Sequence, residues 1–137
     1  MDTPSANAFD RIEALARETF EQVKPSVDFT PERAILRLRA VYGAYQVLVT
    51  ELLSEGVRQY RYYVLRGEWV EAGFDNSPDP RAIQLKYGRI GADHAGEPVP
   101  HLHRADKTQL FLTDEMTFEA FVDWLKANLA PLAPSLS

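Results

Sequence analysis

Two histidines, His101 and His103, follow Pro100 with a single residue between them. In an extended chain, residues i and i+2 project to the same side. The two imidazoles can therefore address one object, and Pro98 and Pro100 favour extension there. Imidazole titrates near neutral pH and serves as general acid or base. Arg104 and Lys107 come directly after, and a cation beside a phosphoryl group steadies the charge that develops on it. Cleavage of RNA by its own 2′-hydroxyl needs this set of parts: a base, an acid for the leaving oxygen, and a cation. The plainer reading is that the imidazoles bond loop carbonyls and hold the segment down.

A His-x-His pair could instead give two nitrogen ligands to a zinc-like ion. One or two more ligands would be needed, and His94, Asp93, Asp75 and Glu97 are the candidates by sequence. There is no H-E-x-x-H and no cysteine, so thiolate sites and disulfides are excluded. The expectation is therefore no cofactor, with a metal at His101 and His103 as the alternative. No P-loop, G-x-G-x-x-G or G-x-S-x-G occurs.

A second group of residues lies in strand-like sequence. With a two-residue turn at Tyr42-Gly43, Arg37 and Arg39 share a face with Gln46, Leu48 and Thr50, and Leu36 and Leu38 lie on the other. The next turn decides where Tyr60 and Tyr62 go. Three residues, Ser54-Glu55-Gly56, put them beside the arginines, whereas two, Glu55-Gly56, put them in the core. The first register makes a basic, aromatic patch of Arg37, Arg39, Tyr60 and Tyr62, suited to phosphate and stacked bases. The plainer reading is an outer sheet face with packed stems and wet tips. Asp75 and Asn76 precede Ser77-Pro78, where such residues start turns; a carboxylate there could also orient a histidine. Glu51, inside "VLVTELL", sits at a wet strand end or pairs with Arg37 or Arg61, because a lone buried carboxylate is costly.

The elements that would position these groups follow from periodicity. Residues 8–22 carry an apolar stripe at three- and four-residue spacing, which predicts a helix capped by Asn7 and stopped at Lys24-Pro25. Four strands are expected at about 33–41, 44–53, 57–65 and 68–75. An irregular stretch follows, with a helical turn near Arg81–Tyr87; a short fifth strand in "KTQLFLT" precedes a second helix in "TFEAFVDWLKANL". Trp69 and Trp124 read as core. The expected fold is α+β: an antiparallel meander of four to five strands with the N- and C-terminal helices on one face. The 137 residues read as one domain, frayed at 1–7 and 131–137.

The net charge is −5, with the acids concentrated in residues 1–30 and 110–137. The middle is nearly neutral, with eleven bases against ten acids in residues 31–109, so any grip on nucleic acid would rest on a local patch. No apolar run approaches the roughly 20 residues of a membrane helix and no signal peptide is evident, which points to the cytoplasm.

The order "RLR", "VLVTELL", "YRYYV", "FDNSP" and "PHLH" resembles the TumE-like family of toxin–antitoxin toxin proteins. The matching residues are Arg37 and Arg39; Glu51; Tyr60 and Tyr62; Asp75, Asn76 and Pro78; and Pro100, His101 and His103. They span about residues 33–103. The chain departs from the pattern after the D-N-x-P turn, where paired histidines are replaced by "DPRAIQLKYG". The resemblance implies a toxin-like protein that acts on or binds RNA, with a cognate antitoxin from a neighbouring gene as partner. The expected site is then Arg37, Arg39, Tyr60, Tyr62, His101 and His103 for the chemistry and Asp75 and Asn76 for binding, joined by Arg104 and Lys107 from their place after the histidines. The alternatives are a non-catalytic interaction module of the same family and a small metalloprotein.

Overall fold

The computed structural model describes residues 3–89 and 91–131. Its centre is a seven-stranded antiparallel sheet in simple sequence order. The strands are β1 (Glu21–Phe29), β2 (Arg33–Tyr42), β3 (Tyr45–Ser54), β4 (Val57–Arg66), β5 (Trp69–Asp75), β6 (His101–Arg104) and β7 (Gln109–Leu112). Helices α1 (Thr3–Thr19), α2 (Pro80–Tyr87) and α3 (Phe118–Asn128) complete it. The α+β class and the meander are as expected, and two strands are added, β1 and β6. No helix among the described residues is long and apolar enough to cross a membrane.

α1 and α3 cover one face of the sheet. Phe9, Ile12 and Ala16 from α1 and Phe118, Phe121, Val122 and Leu125 from α3 are buried there. They meet Leu36, Leu38, Val47, Val49, Val64, Phe74 and Leu102 of the sheet in one continuous core. α1 starts at Thr3, so Asn7 lies within it rather than capping it. The fraying expected at residues 3–7 is replaced by helix, and residues 1, 2 and 132–137 lie outside the described residues. The helix stops at Thr19, earlier than expected, and the chain turns straight into β1, where Gln22 takes a left-handed φ of 52° at a bulge. Pro25 is tolerated in β1 because this is an edge strand, where a missing N–H breaks no inner ladder. α3 is capped as expected by Thr117, whose side chain accepts from Ala120 N. Trp124 packs against this core, partly buried, as expected, whereas Trp69 is 48 % exposed and lies outside it.

α2 packs on the opposite face. Its Ala82 and Ile83 bury against Val99, with Tyr87 and Leu110 beside them. Leu110 is the cross-strand partner of His103, whereas the neighbouring pair Leu102 and Phe111 has Leu102 in the main core. Partners in an antiparallel pair share a face. α2 therefore sits over the β6–β7 end of the face that α1 and α3 leave open.

Two turns set the faces. Tyr42 pairs with Tyr45, so the first turn is Gly43-Ala44 and the register is moved by two residues from the expected one. A shift of two keeps every side chain on its face, and Arg37 and Arg39 point away from the core as expected. Ser54 pairs with Val57, so the second turn is Glu55-Gly56. Both turn residues have positive φ, 49° and 76°, the backbone of a tight hairpin that follows the sheet's own twist. Tyr60 and Tyr62 are thereby placed in the core.

Candidate functional site

The two-residue turn divides the expected patch. Arg37 and Arg39 are exposed on the open face, and Tyr60 and Tyr62 are 1 % and 0 % exposed on the other. Tyr62 stacks between Tyr60 and Phe121, with centroids 5.1 Å from each. Its hydroxyl donates to Glu51, which also accepts from Arg58 Nε at 3.0 Å and Nη2 at 2.9 Å. Burial, and then the Glu51 carboxylate, push the Tyr62 phenol well above its ordinary value, so it keeps its proton. Glu51 thus pairs with Arg58 rather than with Arg37 or Arg61. The Tyr60 hydroxyl accepts from Met116 N at 3.0 Å, and burial raises its phenol too. These tyrosines tie the sheet to the segment before α3.

Asp75 and Asn76 hold the end of β5. Asn76 Oδ1 accepts from Tyr60 N at 3.0 Å and its Nδ2 donates to Arg58 O at 2.9 Å, which extends the β4 ladder with a side chain. Asp75 accepts from the backbone N–H and the hydroxyl of Ser77, the turn role, and faces Arg61 Nε at 3.4 Å. Arg104 lies on the helix-covered side: its Nε donates to Glu71 O at 2.8 Å and its guanidinium rests 5.2 Å from the Trp124 ring. It is therefore not on the histidine face.

Following the register across the open face gives two adjacent rows. One runs Ser26, Arg37, Thr50, Arg61, Asp75, His101, and the other Lys24, Arg39, Leu48, Tyr63, Gly73, His103. Lys24 and Arg39 are directly opposite one another, and Arg37 is two residues along from Arg39. All three are exposed, and among the described residues none has an ion pair or a hydrogen-bonding side-chain partner. Strands lie about 4.8 Å apart, so Arg61 is about 10 Å from Arg37 across the sheet and the histidines about 10 Å further. Lys107 reaches the same area, its Nζ 5.1 Å from the Tyr63 ring.

His101 and His103 are 1 % and 4 % exposed, in a four-residue strand that is held by β5 on one side and β7 on the other. Their rings stand at 87° to one another with centroids 4.8 Å apart. His101 Nδ1 donates to Val99 O at 2.6 Å, which leaves its lone pair on Nε2. Both Nε2 atoms lie 3.9 Å from Oδ2 of Asp79. Asp79 caps α2, its Oδ1 accepting from Arg81 N at 2.8 Å. Burial, then His101 and Lys107, lower the His103 imidazole to about 4, so it is neutral at pH 7. His103 Nδ1 and the Tyr63 hydroxyl are buried without a hydrogen-bond partner.

None of His94, Asp93, Asp75 and Glu97 joins the cluster that Asp79, His101 and His103 form. His94 stacks on Tyr87 with centroids 3.6 Å apart and lies 3.3 Å from Asp93, which Arg89 also grips. Glu97 bonds the Tyr87 hydroxyl. Asp79 takes the place instead. Its signal was an Asp directly before a proline at a helix start, a capping pattern. Nothing in the sequence links that cap to residues more than twenty positions later. No protein-family model, curated protein or solved structure matches the chain.

Proposed function

We propose that the chain is a toxin-like protein that binds RNA through phosphate on the open face of the sheet, with the Asp79–His101–His103 cluster supplying the chemistry. The observation that carries this is the group Lys24, Arg37 and Arg39. Like charges directly opposite on a sheet repel. A triad of exposed, unpaired cations on a flat face suits an anionic ligand that bridges them. The acids of α1 and α3, such as Glu13 and Asp123, are on helices packed against the far side, away from that ligand. Tyr63, flanked by Arg61 and Lys107, replaces Tyr60 and Tyr62 as the aromatic beside the arginines.

The test is binding and cleavage of structured RNA by wild type and by a Lys24→Ala/Arg37→Ala/Arg39→Ala variant, together with growth after induced expression. Three lost phosphate contacts should flatten the dependence of log K on log salt by about 2–3, at roughly 0.7 per contact on single-stranded and 0.9 on duplex regions. An unchanged slope and affinity would overturn the assignment of this face.

The burial of both imidazoles favours a second reading, a binding module without cleavage, whose partner is the antitoxin itself. RNA binding that persists in a His101→Gln/His103→Gln variant, with no cleavage by either protein, would select it.

A further inference from the structure

We propose that Asp79, His101 and His103 form a binding site for a divalent transition metal of the zinc type. One ligand atom from each of these residues lies within 4.8 Å of the others. Among the described residues this is the only group of three or more His, Cys, Asp or Glu so disposed.

The Nδ1–H of His101 is committed to Val99 O, so in the neutral ring Nε2 presents a lone pair. Oδ1 of Asp79 is committed to the cap bond, so Oδ2 presents another. Nε2 and Oδ2 face one another across 3.9 Å. Two lone pairs this close repel unless a proton, a water or a cation lies between them, and a cation can engage His103 at the same time. The third atom, Nε2 of His103, stands the same 3.9 Å from Oδ2.

The shape agrees. Tetrahedral zinc with bonds of about 2.0–2.1 Å sets its ligands roughly 3.3 Å apart, so each 3.9 Å Asp79–imidazole distance needs to close by about half an ångström and the wider separation, up to 4.8 Å, by about 1.5 Å. Asp79 is the partly exposed member and the one able to swing in. Two outer partners are already in place, the Val99 carbonyl behind His101 and the Arg81 N–H behind Asp79, which fix ligand orientation. Two imidazoles and one carboxylate leave a coordination position open, the arrangement of a reactive site rather than a closed structural one. Arg81 and Lys107 lie close enough to His103 for their charges to be felt. A dication here would leave the site net positive, which suits an anionic ligand at the open position.

This inference concerns the cluster to which the preceding section gives the chemistry, but it does not rest on RNA binding, because metal uptake is read without RNA. The experiment uses the full, tag-free chain, stripped with chelator and titrated with Zn²⁺ and with Co²⁺. The expected result is one equivalent of zinc by elemental analysis after dialysis, a rise in melting temperature with zinc, and visible d–d absorption with cobalt. Asp79→Asn keeps a capping side chain on α2 and removes the charged ligand. It should melt like the metal-free wild type yet bind zinc at least tenfold more weakly. His101→Gln/His103→Gln should bind none. Less than 0.2 equivalents retained by wild type, or undiminished binding by Asp79→Asn, would overturn the proposal.

Discussion

Arg58→Met tests whether Glu51, Tyr60 and Tyr62 serve the fold or the chemistry. In the native protein Glu51 is 3 % exposed, and Arg58 satisfies it with two hydrogen bonds, at 3.0 and 2.9 Å. Methionine keeps much of the stem volume and removes the charge. The buried carboxylate would then retain only the Tyr62 hydroxyl, and Met116 O would lose its donor, now at 2.8 Å. Removing one partner of a buried pair costs about 3–5 kcal/mol. The Arg58 side chain is 25 % exposed, so water can partly replace it. The low end, about 3 kcal/mol, is the expected loss, or roughly 10 °C in melting temperature for a chain of this size. Tyr62→Phe keeps the stacked ring and removes one hydrogen bond to a charge, for about 1.5–3 kcal/mol. The double variant Glu51→Leu/Arg58→Met removes both charges and should be more stable than Arg58→Met alone, because no ion is left stranded. Urea and thermal unfolding followed by circular dichroism measure all four proteins. If Arg58→Met stays within 0.5 kcal/mol of wild type but abolishes RNA binding or growth arrest, the network belongs to the site and its structural assignment is wrong.

Three further outcomes follow. Gly73→Ala would set a Cβ 2.9 Å from Cζ of Tyr63, so the ring must move; a loss of about 1–3 kcal/mol in urea unfolding is expected, with relief in Gly73→Ala/Tyr63→Leu. Tyr63→Phe deletes a buried hydroxyl that has no partner, and should leave stability unchanged or raise it by up to about 1 kcal/mol; a loss above that would show that the hydroxyl is bonded in solution. In chelator-treated protein, His103 is held at about 4 when folded against 6.5 when unfolded, so on acidification the unfolded chain takes up its proton first. Stability therefore rises with pH between those values, and going from pH 7 to pH 5 should cost about 2 kcal/mol, a slope that His103→Gln would flatten.

The parts of the fold legible in the sequence were those that bury one face against a thick core. The middle strands alternate cleanly, and α1 and α3 carry apolar stripes, because each has one wet side and one dry side. β1 lacked that signal: it is an edge strand with Pro25, and most of its side chains are exposed. β6 lacked it for the opposite reason. It has four residues, His101, Leu102 and His103 are all buried, and both faces are covered, so polar histidines replace the apolar run expected of such a strand. The hairpin register was open because both turn lengths are ordinary, although Arg58, Tyr60, Tyr62 and Val64 are together more suited to a core than their alternates once paired with Glu51 and Val49. His101 and His103 were visible from spacing alone. Asp79 was not, because its approach depends on where the loop of residues 88–100 returns the chain.

The residues that the sequence motifs brought forward thus separate by face. Glu51, Tyr60, Tyr62 and Asn76 belong to hydrogen-bonded structure at the helix-side core and the β4 ladder, and changes in them should act first through stability. Arg37, Arg39, Arg61, His101 and His103 share the open side, joined there by Lys24, Tyr63, Asp79 and Lys107. A motif that spans both faces can hold together for two unrelated reasons, and only the second set can touch a ligand without unfolding the protein. The cations and the imidazoles are also two different problems for the fold. The cations repel one another in the open and are relieved by any polyanion. The imidazoles are buried, Asp79 lies 3.9 Å from both, and the space between them suits something small and positive. RNA would answer the first need and a metal ion the second, so the two assays can fail independently, and success in both would place the metal at the margin of the surface that holds the phosphates.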